Sequence, residues 1–113
     1  MPNISTKVNV ELSKEKEIAI KSKLGKAIEL LSGKSEAWLM CSFEDNCRLY
    51  FQGKDSTAAF IEVQVFGKIN PAQAEALTAE ICNIFESELS IPQSRTYVKY
   101  EEVSIWGWNG GNF

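Results

Sequence analysis

The stretch Phe60-Ile61-Glu62-Val63-Gln64-Val65-Phe66-Gly67-Lys68-Ile69-Asn70-Pro71 contains the end of one regular element and the start of another. Its first seven residues alternate, with Ile61, Val63 and Val65 on one side, as in a strand with one buried face. Gly67 closes that strand. Asn70-Pro71 then predicts a helix start, because asparagine caps free backbone N–H groups and proline suits the first helical position. We therefore expect a strand followed directly by a helix.

The sequence after this stretch continues the same pattern. Leu77, Ile81, Ile84 and Phe85 recur at helical spacing and predict one buried stripe, and Pro92 prevents the helix from continuing. The aromatic and β-branched content of Arg95–Glu101 predicts another strand. A short strand at residues 104–108 is expected before the glycine-rich tail.

The first half of the chain carries a similar pattern. Residues 3–10 alternate and predict a strand, and Ser13 is a suitable cap for a helix over Lys14–Leu31 that Gly33 terminates. A second strand is expected at Ala37–Phe43, with a short one at residues 49–52. The expected buried stripe of this helix consists of Ile20, Leu24, Ala27, Ile28 and Leu31.

The two halves repeat each other at an offset of about 57–58 residues, which places Ser13-Lys14 opposite Asn70-Pro71. Two β-α-β units predict an α+β fold with a four-stranded mixed sheet and two helices on one face. A chain of 113 residues fits a single domain, 1–113. The helix-free face carries Phe60 and Phe66, and an apolar face without helices predicts burial against copies of the chain.

Composition excludes several functional classes. The net charge is −3 with both signs interspersed, so neither the basic surface of a nucleic-acid-binding protein nor a membrane-binding segment is expected. Cys41, Cys47 and Cys82 form no metal-binding motif, and the chain has no histidine. We therefore expect no metal site. A leader with basic and then apolar residues is not visible, which predicts a cytoplasmic protein.

Pro2 offers a base if Met1 is removed. Its nitrogen is then a secondary amine, and a terminal amine titrates at about pKa 7.7–8 before burial lowers the value. A base of that pKa suits proton transfer at neutral pH. The alternative is that Met-Pro is an incidental start of the chain.

Two further features leave alternatives open. Lys34 follows the helix-ending Gly33, where it is either a solvated cation beside a helix C-terminus or a group that holds a carboxylate or enolate. Two tryptophans, Trp106 and Trp108, precede a glycine-rich turn and Phe113. They either pack against the sheet or a neighbouring subunit, or form an aromatic wall for a planar ligand.

These pieces together resemble the macrophage migration inhibitory factor family, which includes D-dopachrome tautomerase. The matching segments span nearly the whole chain, and each is short. They are Met1-Pro2, Gly33-Lys34, Phe66-Gly67-Lys68-Ile69, Arg95-Thr96-Tyr97-Val98 and Gly107-Trp108-Asn109-Gly110 with Phe113.

The resemblance implies a homotrimer whose sheets enclose a central barrel, with a pocket at each subunit interface. It implies keto–enol tautomerase activity on phenylpyruvate- or dopachrome-like substrates, without a cofactor. Pro2 would be the catalytic base, Lys34 would bind the substrate's carboxylate or oxygen, and Tyr97 would enter the pocket from the neighbouring subunit. The implied pocket-lining residues are Trp38, Phe66, Trp106 and Phe113.

The chain departs from the family pattern at three positions in or near this implied site. Lys99 stands where asparagine is common, and a second cation near the site would lower the pKa of Pro2 further and favour anionic substrates. Phe66 and Trp106 are larger than the usual residues and should narrow the pocket. The family also includes signalling proteins, so a receptor-binding protein exported without a signal peptide is the main alternative, and a binding trimer without turnover is a third.

Overall fold

Strands β1 (Pro2–Val8) and β3 (Ala59–Phe66) pair antiparallel at the centre of a four-stranded sheet in the computed structural model, which describes all residues from Met1 to Phe113. The outer strands β2 (Met40–Glu44) and β4 (Thr96–Val103) pair parallel with β1 and β3, giving the order β2-β1-β3-β4. The predicted α+β fold with a mixed sheet is therefore confirmed.

Each parallel pair is connected through one helix. Helix α1 (Lys14–Ala27) is capped by Ser13, whose side chain accepts a hydrogen bond from the Lys16 N–H, as predicted. Helix α2 (Pro71–Leu89) is capped by Asn70, whose side chain accepts from two backbone N–H groups. Neither helix combines the length and apolar character needed to cross a membrane.

The repeat predicted from sequence is present in the fold. Pro2 and Ala59 begin the first strands of the two units, and Lys14 and Pro71 begin their helices; each pair is 57 residues apart. The two units thus form one sheet with both helices on the same face.

The core lies between that face of the sheet and the two helices. The β3 side chains of Ile61, Val63 and Val65 are at most 1% exposed, as their alternation predicts. Every residue of both predicted helical stripes is buried. The helix residues in this core are Ile20, Leu24, Ala27, Ile28, Leu77, Ile81, Ile84 and Phe85, with Leu31 just beyond α1.

Element boundaries differ from the predictions at the ends of the first unit. The helix predicted to Leu31 ends at Ala27 and tightens into a 3₁₀ turn over Ile28–Leu30, before Gly33 takes a φ of +77°. The strand predicted from Ala37 begins at Met40, because Glu36–Trp38 form another 3₁₀ turn. Residues 49–52 contribute no strand of the sheet.

The C-terminal segment also differs from its prediction. Instead of one strand at 104–108, two short strands, β5 (Gly107–Trp108) and β6 (Gly111–Asn112), form a hairpin. Its two turn residues, Asn109 and Gly110, both have positive φ (51° and 82°), as a type I′ turn requires.

The helix-free face of the sheet is apolar only in part. Phe60 and Phe66 lie at the two ends of β3, but the prediction of an apolar face is wrong at its centre, where Glu62 and Gln64 occupy the alternate positions. Gln64 accepts a hydrogen bond from Asn3 and donates one to Glu101, so polar pairs cross three strands. This face therefore offers no continuous apolar surface for burial.

Candidate active site

Lys34 lies at the edge of the sheet where β1 begins and β3 ends. Its Nζ donates a hydrogen bond to the carbonyl oxygen of Phe66 over 3.2 Å, and the Phe66 N–H donates to the carbonyl of Met1 over 3.0 Å. These bonds bring the loop after α1, the last residue of β3 and the chain start together. The structure thus joins three segments that are separate in sequence.

The terminal amine has an altered pKa at this position. Burial lowers the pKa of the Met1 amine from its ordinary value, and the positive charge of Lys34 and a hydrogen bond with Lys34 lower it further. Pro2 follows directly, is buried and pairs with Val65 across the sheet. In this chain the Pro2 nitrogen is an amide; on removal of Met1 it becomes the amine of the same corner.

Four aromatic side chains form a row that ends at this corner. Trp38 meets Trp108 edge to face at 5.0 Å between ring centroids, and Trp108 stacks on Phe113 at 6.2 Å. Phe113 contacts Phe66 at 5.6 Å. Since the Phe66 carbonyl accepts the Lys34 hydrogen bond, we define Trp38, Trp108, Phe113 and Phe66 as the aromatic row beside Lys34.

Three of the four residues in this row are about half exposed. Trp38, Trp108 and Phe113 are 47%, 52% and 55% exposed. Aromatic faces left open beside a cation suit a ligand with a planar apolar part and a negative charge.

A cleft of about 350 Å³ adjoins Lys34. It contains a second cation, Lys68, whose Nζ lies 3.6 Å from a carboxylate oxygen of Glu102. Pro2 is not among its lining residues, which are Leu31, Ser32, Lys34, Val65, Lys68, Ile69, Asn70 and Gln73. The cleft therefore extends the surroundings of Lys34 towards the start of α2.

Tyr97 lies far from this corner within one chain. It pairs with Phe60, five residues along β3 from the Val65 that faces Pro2, which is roughly 17 Å at the usual rise of a strand. Its ring meets Phe51 edge to face at 5.0 Å and is 60% exposed. A single chain therefore does not bring Tyr97 and Pro2 together, and the contribution of Tyr97 from a neighbouring subunit stays a prediction.

Lys99 lies on the helix-free face, between the level of Tyr97 and the level of Pro2 along the strands. Its Nζ lies 3.8 Å from a carboxylate oxygen of Glu62, and both residues sit three places along β3 and β4 from the level of Val65. That separation is roughly 10 Å along the strands. Within one chain, Lys99 is thus paired with a carboxylate rather than placed at the amine.

Trp106 and Trp108 have different surroundings. The Trp106 carbonyl accepts a hydrogen bond from the Phe113 N–H over 3.0 Å, which holds the last residue in place. Trp108 was predicted only as part of a possible aromatic wall and was not among the pocket-lining residues that the resemblance implied; it lies between Trp38 and Phe113 in the aromatic row. The Asn109-Gly110 pair is a hairpin signal that could have indicated this, because a two-residue turn folds Phe113 back beside Trp108.

Comparisons with known proteins agree with this fold. The family model for macrophage migration inhibitory factor matches residues 1–113. Macrophage migration inhibitory factor of Xenopus laevis is 27% identical over 94 residues, covering 81% of this chain and 82% of that protein.

Two solved structures extend the comparison. The crystal structure of Leishmania major MIF2 has a TM-score of 0.94 and 33% identity, covering 100% of this chain and 97% of that one. The structure of Pt0534, which was inactivated by 2-oxo-3-pentynoate, shares the fold at a TM-score of 0.85 and 18% identity, covering 96% and 93% of the two chains. The match over the whole length, together with the common fold, shows that the chain belongs to the macrophage migration inhibitory factor family.

Proposed function

We propose that this protein is a cofactor-independent keto–enol tautomerase for phenylpyruvate- or dopachrome-like substrates, with the Pro2 nitrogen as general base after Met1 is removed. The observation that carries the proposal is the position of the chain start beside Lys34, where burial and the lysine charge lower the pKa of the Met1 amine. Removal of Met1 would leave the Pro2 amine at the same corner. A lowered pKa raises the neutral fraction of a terminal amine, and a neutral amine can accept a proton from carbon.

The substrate's charge and ring match the two sides of the site. Lys34 binds the carboxylate or the carbonyl oxygen, and its ammonium group stabilises the negative charge that develops on the enolate. The aromatic row of Trp38, Trp108, Phe113 and Phe66 accepts the planar part of the substrate. An aromatic 2-keto acid carries both groups in one small molecule.

The proposed reaction moves a single proton, and Pro2 is the base that carries it. Neutral Pro2 takes a proton from the carbon next to the carbonyl, and the electron pair of that C–H bond moves to form the enolate. Protonated Pro2 then delivers the proton to the enolate oxygen, which yields the enol and restores the neutral amine. The reverse sequence converts enol to ketone.

The complete pocket in this proposal includes a second copy of the chain. Tyr97 and Lys99 lie too far along the sheet to reach Pro2 of their own chain. We propose that a neighbouring subunit of a homotrimer supplies them, which makes the assembled protein the active species.

The decisive experiment compares one preparation before and after proteolytic removal of an N-terminal extension, so that Pro2 becomes the first residue. Enol-to-keto conversion of phenylpyruvate is followed by the loss of enol absorbance. We expect turnover only after cleavage, because the extension keeps the Pro2 nitrogen an amide. Equal turnover before and after cleavage would rule out Pro2 as the base.

A second variant distinguishes the contribution of the terminal amine from that of the proline ring. Pro2→Gly keeps a terminal amine in the same place but removes the ring, so we expect a folded protein with reduced turnover. If the processed wild-type protein shows no turnover, the receptor-binding or simple binding alternatives are favoured, with Phe66 and Trp106 as the side chains that block the pocket.

A further inference from the structure

The loop before β3 contains a tight turn without the support of the main sheet. Phe51 and Lys54 exchange two backbone hydrogen bonds of 2.9 and 3.1 Å across Gln52 and Gly53. Both turn residues have positive φ, 54° and 75°, which is the geometry of a type I′ turn. Gln52 adopts a conformation that glycine or asparagine adopts more easily, so other contacts must hold the turn.

Arg95 supplies those contacts. Its guanidinium donates four hydrogen bonds of 2.9–3.1 Å, and every acceptor is a backbone carbonyl of this loop. Two of the acceptors belong to the bridge residues Phe51 and Lys54, and the others belong to Ser56 and Thr57. No carboxylate lies within ion-pair distance of Arg95, so backbone dipoles alone compensate its charge.

The same guanidinium also lies over the Phe51 ring. Its central carbon is 5.3 Å from the centroid of the Phe51 ring, within the range of a cation–π contact. The Phe51 ring in turn meets the Tyr97 ring edge to face at 5.0 Å and 80°. Arg95 therefore holds Phe51 through both its backbone carbonyl and its ring, and Phe51 contacts Tyr97.

Within one chain, much of the Tyr97 side chain has no neighbour that fixes its orientation. The side chain is 60% exposed, and an apolar cavity of about 210 Å³ adjoins it. Phe51, Phe60 and Arg95 are among the residues that line this cavity. Without the Phe51 edge, the Tyr97 ring can rotate into the cavity or into solvent.

We infer that Arg95 is a positioning residue that fixes the ring of Tyr97 through the turn at residues 51–54 and the Phe51 ring. The inference rests on the proposed function, in which Tyr97 completes the pocket of a neighbouring subunit. Lysine cannot replace Arg95 here, because only the planar guanidinium offers donors in several directions while its face covers an aromatic ring.

The test uses the assembled, Met1-processed protein labelled with 3-fluorotyrosine, which reports on Tyr50, Tyr97 and Tyr100 separately by ¹⁹F NMR. Tyr97→Phe assigns the Tyr97 signal. Arg95→Met should shift and broaden this signal, because the ring loses its fixed neighbour. The Tyr100 signal should stay unchanged, since its hydroxyl is held by Thr78 and the Ala74 carbonyl.

Kinetics with phenylpyruvate form the second readout. Arg95→Met should raise KM about two- to tenfold, the size of a lost edge-to-face aromatic contact, and leave kcat nearly unchanged. In a Tyr97→Ala background the same substitution should leave KM unchanged, because there is no ring left to position. An equal rise in KM in both backgrounds would overturn the inference.

Asn9→Ala is the matched control. Asn9 also binds this loop, donating to the carbonyls of Asp55 and Ser56 and accepting from the Ala58 N–H, and none of these hydrogen bonds involves Phe51. We expect this variant to lose stability and keep the Tyr97 signal and KM of the wild type. If Asn9→Ala moves the Tyr97 signal as much as Arg95→Met does, loop integrity in general, rather than Arg95, positions the ring.

The two hypotheses fail in different ways. A processed wild-type protein without turnover contradicts the tautomerase proposal but leaves the ¹⁹F comparison intact. An unchanged Tyr97 signal in Arg95→Met contradicts the positioning role whatever the activity.

Discussion

The Lys34 ammonium group donates a hydrogen bond to the Phe66 carbonyl oxygen, 3.2 Å away, and so ties the loop after α1 to the end of β3. The same lysine lowers the pKa of the terminal amine. One side chain thus orders the corner of the sheet and supplies its positive charge.

Replacing Lys34 should change the pH dependence of turnover. Burial first, the charge of Lys34 second and a hydrogen bond with Lys34 third lower the pKa of the Met1 amine. In the proposed mechanism the Pro2 amine takes its place beside Lys34 and acts as base in its neutral form. Activity should therefore rise with pH through the amine pKa. Lys34→Met removes the neighbouring positive charge, so the protonated amine is no longer disfavoured by it and the rising limb should move to higher pH.

The magnitude and the control complete this test. We expect kcat/KM of Lys34→Met to fall by about 10²-fold at the plateau, as for loss of one group that stabilises an oxyanion. Lys14→Met, which removes an 81% exposed lysine on α1, should retain the wild-type profile. A Lys34→Met profile with its rising limb at the wild-type pH would show that the lysine charge does not act on the base.

Replacement of Trp106 and of Trp108 by alanine should have different effects on activity. Trp108 lies between Trp38 and Phe113, so Trp108→Ala removes the middle of the aromatic row and should raise KM for phenylpyruvate about tenfold. Trp106 holds Phe113 through its backbone carbonyl, which alanine keeps. Trp106→Ala should widen the pocket and allow bulkier aromatic keto acids. A larger KM effect from Trp106→Ala than from Trp108→Ala would contradict this division.

Thr6→Val should stabilise the protein. The Thr6 side chain is buried, at 2% exposure, and its hydroxyl has no hydrogen-bond partner. Valine has nearly the same shape without that hydroxyl, so we expect the free energy of unfolding to rise by about 1 kcal/mol. Urea unfolding of the assembled protein at fixed concentration measures the difference.

Thr78→Val removes a hydroxyl that does have a hydrogen-bond partner, and it serves as the control. The Thr78 hydroxyl lies 2.8 Å from the Tyr100 hydroxyl in a partly buried pair. Its removal should lower the free energy of unfolding by about 1 kcal/mol. A loss of stability in Thr6→Val, as in Thr78→Val, would mean that the Thr6 hydroxyl has a hydrogen-bond partner in solution.

The Cys41 thiol should be alkylated slowly, at a rate that depends on two charged neighbours. Burial first and the charge of Glu36 second raise its pKa to about 11, against the opposing charge of Lys21. Glu36→Gln should therefore lower the pKa, increase the thiolate fraction at a given pH and accelerate alkylation by iodoacetamide. Lys21→Gln should slow the same reaction, and peptide mass mapping separates Cys41 from the other cysteines. Rates that change in the same direction in both variants would contradict this assignment of charges.

The local elements of this fold were predictable because each depends on neighbours in sequence. Ser13 and Asn70 cap their helices through backbone groups two or three residues away, and the alternation of Ile61, Val63 and Val65 predicts a buried strand face from adjacent residues. The 57-residue repeat made the two β-α-β units visible as well.

The features that the sequence did not reveal depend on contacts between distant residues. Tertiary structure places the Trp108 ring between Trp38 and Phe113, the Lys34 amine on the Phe66 carbonyl, and the Arg95 guanidinium on four carbonyls of a loop about 40 residues away. The polar centre of the open sheet face was readable from the sequence, because Glu62 and Gln64 alternate with Ile61, Val63 and Val65; strand pairing adds that Gln64 lies between Asn3 and Glu101.

The sequence by itself thus determined the type and order of the elements and the identity of the buried stripes, because hydrogen bonding within helices and side-chain alternation in strands are local. Only the tertiary structure decided which side chains share the corner at Lys34 and which remain at the far end of the sheet with Tyr97. Those distances follow from strand register and loop packing, which form only when the whole core is assembled.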